Sequence, residues 1–190
     1  MLNKRLFAVG MVSLLITLLG GMSWVMVGLP KLDQLDTNLI LPSTRIYDRH
    51  GRLLYELTPD NRPGRQRSLS LEEIPPFCLM GVVATEDTHF YEHGGIDWRG
   101  VLRAGLSIIR QSDAPLGGST LTQQVARMLL LYPHESAPRT LRRKLQEMVL
   151  AVQLEQRYTK EEILALWLNQ ANFGNLAYGI EAASYAYFAK

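Results

Sequence analysis

The chain contains very little cysteine and no concentration of positive charge. Its 190 residues include one cysteine, Cys78, so an internal disulfide is excluded. Cys78 lies in an apolar run over residues 77–80, which is typical of a small buried residue. The formal net charge is +2 and no dense block of Lys and Arg occurs, so we expect no nucleic-acid partner.

Charge is missing altogether from one long segment near the N-terminus. Residues 6–30 form a run of 25 uncharged residues. As a helix this run is about 37 Å long, against about 30 Å for a bilayer's hydrocarbon core, so it predicts a transmembrane anchor. Lys4 and Arg5 precede it, and the positive-inside rule makes residues 1–5 a cytoplasmic tail and places the remainder outside. A cleaved signal peptide is the alternative interpretation.

The remaining residues are enough for one domain with its own core. Residues 31–70 predict an extracytoplasmic connector that contains a short β-hairpin, with strands at 44–48 and 52–57 and a loop from 58. Residues 71–190 are predicted to form this domain, and the pattern becomes helical after Pro75 and Pro76. We predict five helices in this part, over about 77–93, 98–110, from 120 onwards, 140–157 and 159–169. The fold class is therefore predicted to be mostly α.

Local signals mark where the helices begin and which of them is buried. Thr120 with Gln123 and Thr159 with Glu162 each fit a capping box. The fourth helix is apolar nearly all round over residues 148–154, which predicts a buried central helix. The second helix carries arginines opposite its apolar side. It is therefore predicted either to lie against anionic headgroups or to be an ordinary surface helix.

Glu86 is the first candidate catalytic residue. It falls on the face of the first predicted helix that also carries Val82, Val83 and Phe90. A carboxylate on such an apolar face is expected to be desolvated, which favours its proton-bound form and tunes a general base towards neutral pH. A salt bridge inside the core is the alternative. Asp87 points about 100° away around the helix, so the two carboxyl groups are not expected to share a proton.

Residues 89–93 also read as H-x-x-E-H. In some zinc peptidases this string supplies two histidine ligands and a glutamate base. No motif for a third ligand stands out downstream, so a metallopeptidase is a remote hypothesis. Hydrogen bonds from His89 and His93 that orient the local turn are the alternative.

Two further clusters carry polar and cationic side chains. Residues 117–124, GGSTLTQQ, predict a glycine turn entering a helix N-terminus, where backbone N–H groups bind anions; a plain capped helix is the alternative. Arg127 lies about one turn further on. Arg143, Lys144 and Glu147 have spacings that place the carboxylate beside both cations. On a surface this would be a routine ion pair, but here it borders an apolar segment.

Together these segments resemble the signature motifs of the peptidoglycan glycosyltransferases (family 51). Residues 86–95 resemble E-D-x-x-F-x-x-H-x-G, residues 117–124 resemble G-G-S-T-x-T-Q-Q, and residues 143–147 resemble R-K-x-x-E. Residues 160–169 resemble the fourth motif, with Trp167 where the family usually has Tyr. The resemblance covers about residues 44–190. Within the family, the chain looks most like the glycosyltransferase module of class A penicillin-binding proteins.

The resemblance implies a lysozyme-like α fold and an enzyme that polymerises lipid II with release of undecaprenyl pyrophosphate and inversion at the anomeric carbon. Glu86 would be the general base. Glu147 would be a second catalytic carboxylate, which either holds the cations or helps to bind Mg²⁺ or Mn²⁺ at the pyrophosphate. The implied substrate-binding residues are Asp87, Phe90, His93, Ser119, Thr120, Gln123, Gln124, Arg127, Arg143, Lys144 and Asn169.

The implied location is the bacterial inner membrane, with a single span and the domain on the extracytoplasmic side. The implied partners are lipid II, the growing glycan, membrane lipids and other cell-wall synthesis proteins. Two departures from the family matter: Thr88 stands where a basic residue is frequent, and Lys190 falls inside the family's domain. No S-x-x-K transpeptidase motif is present. A membrane-anchored lipid II-binding or scaffold protein, inactive through truncation, is the second hypothesis.

Overall fold

A computed structural model of the chain describes residues 2–35, 43–57, 68–109, 118–131 and 140–189. Within these ranges the fold is mostly α, as predicted, with a single two-stranded sheet. The helices are α1 Leu2–Met26, α2 Pro76–Glu86, α3 Trp98–Ile109, α4 Leu121–Ala126, α5 Leu141–Arg157, α6 Lys160–Gln170 and α7 Ile180–Phe188. The strands are β1 Thr44–Tyr47 and β2 Leu53–Leu57. Shorter helical turns cover Leu32–Gln34, Leu71–Glu73, Phe90–Glu92 and the π-helical Arg127–Leu131.

Helix α1 has the length and composition of a membrane span. Its segment Val9–Met26 has a mean hydropathy of 1.9, and only 6% of that segment is buried against the rest of the protein. A core helix of the same composition would be mostly buried, so the exposure favours a lipid environment. The helix ends at Met26, earlier than the predicted limit of residue 30, and Gly28 follows with a left-handed φ of 74°.

The predicted hairpin is confirmed, with β1 antiparallel to β2. The Asp48 carboxylate closes the turn by accepting the backbone N–H groups of His50 and Arg52, each at 2.8 Å. Arg45 on β1 donates to Glu181 on α7 at 3.0 Å, which ties the hairpin to the far end of the domain. Most of the predicted loop over 58–70 lies outside the described residues.

The short helix α4 forms the centre of the core. Leu121, Val125 and Ala126 are completely buried, and α4 packs against both α5 and α6. The prediction that α5 is a buried central helix holds for one of its faces. Leu150, Ala151 and Leu154 are fully buried, while residues 148, 149 and 152 are half-buried and line a groove of about 700 Å³ against α1. The second apolar face of α5 therefore packs towards α1, and helical periodicity alone does not distinguish such a face from one in the core.

Two other local predictions need correction. Helix α2 ends at Glu86 instead of near residue 93, and Phe90–Glu92 form a separate 3₁₀ turn. The Thr120 hydroxyl caps α4 as predicted, but the Gln123 side chain does not complete a capping box because it bonds elsewhere. The capping box of Thr159 and Glu162 is confirmed. Helix α7 was not predicted.

Candidate active site

Glu86 is the last residue of α2, and its side chain is exposed. The prediction that an apolar environment desolvates this carboxylate was therefore wrong. The apolar side of α2 packs against the core at Leu79, Val82 and Val83, whereas Glu86 lies beyond them at the end of the helix. Gln124 on α4 donates from Nε2 to Glu86 Oε2 at 3.0 Å. The candidate base is thus accessible to a ligand and is held from one side by the helix at the centre of the core.

Asp87 explains why α2 stops. Its backbone leaves the helix with φ −158° and ψ 78°, and the residue is 7% exposed. The Asp87 Oδ2 atom accepts the backbone N–H of Leu121, the first residue of α4, at 3.0 Å. The negative charge of Asp87 at the N-terminus of α4 also complements the dipole of α4. The position of Asp87 supports an orienting role instead of the expected substrate contact.

Two of the backbone N–H groups of the predicted anion cradle at the start of α4 already have acceptors within the protein. The N–H of Leu121 is taken by Asp87, and the N–H of Gln123 is taken by the Thr120 hydroxyl at 3.2 Å. Thr120 is 2% exposed and donates its own proton to the Gly95 carbonyl at 2.8 Å. Gly117 lies outside the described residues. The negative group at the N-terminus of α4 is therefore the carboxylate of Asp87.

His93 has its ring orientation fixed by two neighbours. The backbone N–H of Gly95 donates to Nδ1 at 3.2 Å, so the ring proton is on Nε2, which donates to both oxygens of Asp87 at 3.1 Å. This supports the alternative in which His93 orients the turn. Among the described residues, no group of three or more His, Cys, Asp or Glu is arranged to hold a metal ion. The zinc-peptidase interpretation therefore has no geometric support.

Phe90 lies beneath the surface, with no exposed area. The ammonium group of Lys160 lies 4.4 Å from the centre of its ring and donates to the His93 carbonyl at 2.6 Å. Lys160 also donates to Glu155 at 2.8 Å, and Glu155 accepts the Thr122 hydroxyl at 2.6 Å. Phe90 is thus a packing residue, contrary to the expected substrate contact. Lys160 was not predicted as a site residue, although its place in the fourth motif was the available signal.

Gly95 is required by a close approach between two backbones. Its φ is +89°, and a Cβ at this position would lie 2.8 Å from both the carbonyl carbon and oxygen of Ala151. We expect Gly95→Ala to lower the free energy of unfolding by roughly 2–5 kcal/mol, because the left-handed backbone and the collision both cost energy. Gly94→Ala is the matched control, since nothing lies within 4 Å of its added Cβ. Equal melting temperatures for the two variants would contradict this prediction.

A second group of contacts surrounds Lys144 on α5. Its ammonium donates to Ser119 Oγ and to Gln123 Oε1, each at 2.6 Å, and to Glu147 Oε2 at 3.3 Å. Burial lowers the pKa of Lys144; Glu147 opposes this shift, and the nearby cations Arg127 and Arg143 add to it. The structure thereby brings residues of the second motif, Ser119 and Gln123, into contact with Lys144 of the third motif, as expected if both motifs contribute to one site.

Glu147 is the acidic centre of this group and has no exposed area. Arg143 Nη1 lies 3.2 Å from Glu147 Oε1, within ion-pair distance but without hydrogen-bond alignment. The Nε atom of Arg143 is buried and has no hydrogen-bond partner among the described residues. An unsatisfied buried polar atom costs about 1–3 kcal/mol, and this pair has one such donor, Arg143 Nε, and one such acceptor, Glu147 Oε1.

Asn169 supports the site from behind. Its side-chain amide donates to the Leu69 carbonyl and accepts the Leu69 N–H, both at 2.8 Å. Asn169 is 8% exposed, so it holds the segment before α2 and offers no surface to a substrate. The contacts of Asn169 were beyond sequence reasoning, because its partner lies 100 residues away.

Adjacent residues of α4 join the two halves of the site. Gln124 contacts the exposed carboxylate of Glu86, while Gln123 contacts the cation of Lys144. Gln123 itself is fully buried and also donates to the Gly95 carbonyl at 3.3 Å. One rigid helix therefore fixes an accessible base and a cationic cluster relative to each other.

Comparison of the sequence with known proteins identifies the family of the chain. Residues 50–190 match the family model described as Transglycosylase. The chain is 41% identical over 155 residues to penicillin-binding protein 1A of Escherichia coli. The aligned region is 82% of the chain and 17% of that relative. The chain is 38% identical over 193 aligned positions to penicillin-binding protein 1F of Bacillus subtilis. This aligned region is 99% of the chain and 26% of the relative.

A third relative, penicillin-binding protein 1A of Aquifex aeolicus, is 38% identical over 148 residues, covering 78% of the chain and 19% of the relative. The chain thus spans about a quarter or less of the length of these curated relatives. The family model covers most of the chain, including every residue of the site described above. This chain belongs to the transglycosylase family, the family 51 peptidoglycan glycosyltransferases.

Proposed function

We propose that this chain polymerises lipid II into glycan strands with release of undecaprenyl pyrophosphate. The observation that carries the proposal is that Glu86 and Lys144 are held by adjacent residues of α4, Gln124 and Gln123. A reaction that removes a proton from one sugar and a pyrophosphate from another needs a base and a cationic group at fixed separation.

Glu86 acts as the general base in this proposal. The proton of the acceptor 4-hydroxyl moves to the Glu86 carboxylate while the hydroxyl oxygen bonds to the anomeric carbon of the growing chain. The bond from that carbon to the pyrophosphate oxygen breaks, and its electron pair leaves with undecaprenyl pyrophosphate. Attack opposite the leaving group inverts the anomeric configuration. The exposure of Glu86 supports this role, because an acceptor sugar can reach it.

The cationic cluster stabilises the departing pyrophosphate. Three acceptors hold the Lys144 ammonium group in place, and Glu147 holds the Arg143 guanidinium beside it, so both contribute positive charge at a fixed position. Preorganised positive charges of this kind require no rearrangement as the negative charge develops, so they stabilise the transition state more than the ground state. Arg127 contributes a further positive charge near Lys144.

Glu147 fits the role of a counter-ion better than that of a metal ligand. Its two carboxylate oxygens face Arg143 and Lys144 at 3.2 and 3.3 Å. Mg²⁺ and Mn²⁺ prefer several oxygen donors, whereas the neighbours here are cations. These residues do not fit a divalent ion, so no step in the proposal involves one.

The charge on Lys144 gives a pH dependence that can be tested. Because burial lowers its pKa below the ordinary 10.5, rising pH removes the cation earlier than from an exposed lysine. The rate should therefore fall on the alkaline side below pH 10.5. Lys144→Arg should move this fall to higher pH, since arginine stays charged. The measurement is the pH profile of kcat/KM; an unmoved alkaline limb would contradict the assignment.

The membrane arrangement is part of the proposal. We propose that α1 spans the bilayer once, with its N-terminus cytoplasmic and the domain outside, because Lys4 and Arg5 precede the span. Helix α3 exposes Trp98 and Leu102, each at 66%, so it presents an apolar face that the core does not cover. This supports contact between α3 and the membrane surface from which a polyprenyl substrate arrives.

Replacing Trp98 and Leu102 together with glutamine should weaken vesicle binding of a version without residues 1–30 at least tenfold. The reason is the loss of two apolar side chains, each worth about 1.5–3 kcal/mol when buried in lipid. Flotation with anionic vesicles measures the binding. Leu141→Gln is the matched control, because Leu141 is 72% exposed outside α3. Equal binding of both variants would contradict membrane contact by α3.

The direct test is incubation of the purified chain with lipid II and separation of the products on a gel. A ladder of glycan strands is the expected result. Lipid II that binds without forming a ladder would favour the second hypothesis, a lipid II-binding or scaffold protein. Absence of both binding and products would overturn the proposal for this chain.

A further inference from the structure

Trp167 is linked to Glu86 through one side chain. Its indole Nε1 donates to Gln124 Oε1 at 3.0 Å, and Gln124 Nε2 donates to Glu86 Oε2 at 3.0 Å. Trp167 is 7% exposed on α6, and its ring packs edge-on against Phe173 with centroids 5.9 Å apart. The first donor in this series is thus fixed by the core, while the last acceptor is exposed.

The direction of the series follows from the chemistry of its ends. An indole N–H can only donate, and an ionised carboxylate can only accept. The Gln124 amide can satisfy both neighbours in one orientation alone, with Oε1 towards Trp167 and Nε2 towards Glu86. The opposite orientation would face donor with donor and oxygen with oxygen, and would lose both hydrogen bonds. The tryptophan therefore selects the orientation in which the amide donates to the carboxylate.

We propose that Trp167 is a positioning residue for Glu86, acting through the amide of Gln124. The inference rests on the proposed function of Glu86 as the base. Gln124 engages Oε2, and among the described residues no side chain or backbone group donates to Glu86 Oε1. One oxygen is held in place, and the other faces the acceptor hydroxyl. Without the indole N–H, the amide is free to rotate, and the carboxylate of an exposed residue loses its fixed direction.

The expected kinetic effect is on turnover and not on substrate affinity. Trp167→Phe keeps an aromatic ring but removes the donor, so kcat should fall about three- to tenfold, the value of one hydrogen bond, with KM nearly unchanged. In a Gln124→Ala background, Trp167→Phe should cause no further loss of kcat, because the connecting amide is already gone. Independent, multiplying effects of the two substitutions would overturn the proposal.

A spectroscopic test separates this inference from the proposed function. The chain has three tryptophans, so the ¹⁵N-labelled protein should give three indole N–H signals, and Trp167→Phe identifies the signal of Trp167. Glu86→Gln should shift that signal through Gln124, and the shift should vanish in the Gln124→Ala background. An indole signal that Glu86→Gln leaves unmoved would overturn the positioning role, whatever the activity. A transmitted shift in a chain without polymerase activity would support the link and count against the proposed function alone.

Discussion

Glu86→Gln is expected to abolish the glycan ladder. The substitution keeps the size of the side chain and its contact with Gln124 but removes the group that accepts the hydroxyl proton. General base catalysis contributes about 10²–10⁴-fold to a rate, so the residual polymerisation should fall by at least 10²-fold. The fold should be unaffected, because Glu86 is exposed at the end of α2 and, within the described part of the chain, its side chain bonds only to the half-buried Gln124.

The measurement is the initial rate of lipid II consumption, with the melting temperature of each variant recorded beside it. Glu92→Gln is the matched control, since Glu92 is an exposed carboxylate in the same segment and lies outside the proposed machinery. We expect Glu92→Gln to retain near-normal activity. A ladder that survives in Glu86→Gln would assign the base to another residue.

Glu147→Gln is expected to damage both stability and activity. Glu147 is fully buried between Arg143 and Lys144, and removing one member of a buried charged group costs about 3–5 kcal/mol, because the partner charges stay buried without compensation. Lys144 would also lose one of the three acceptors that hold its ammonium group in place. The free energy of unfolding in urea measures the first effect.

The activity of the same variant is measured where it remains folded, below its urea transition. Glu161→Gln serves as the control, because Glu161 is an exposed carboxylate on α6 and its replacement should change stability by less than about 0.5 kcal/mol. A Glu147→Gln protein with unchanged unfolding free energy would show that the buried charges do not depend on this carboxylate.

Local sequence patterns predicted the elements of the fold well. The uncharged run gave α1, the Thr159 capping box marked the start of α6, and the Asp48 and Gly51 turn fixed the hairpin. Each of these signals lies within one element or one turn, where hydrogen bonds and side-chain spacing act over a few residues. The motifs in turn led to the family that the comparison confirmed.

The roles of individual side chains required the tertiary structure. Periodicity placed Glu86 on an apolar face, but whether a face is covered depends on the element that packs against it, and Glu86 is exposed. Asp87 and Phe90 were expected at the substrate, yet one caps α4 and the other is buried in the core. Gly95 is fixed by the backbone of Ala151, a contact that no local pattern reveals.

The sequence by itself thus determined the long apolar N-terminal helix, the helical class, the family and the chemical groups available to the site. The tertiary structure decided which of those groups face a ligand and which hold the others. The reason is distance along the chain: Asp87 meets Leu121 across 34 residues, Glu86 meets Gln124 across 38, and Gln124 meets Trp167 across 43. Propensity and periodicity act within a helix, whereas contacts between helices depend on how the whole core packs.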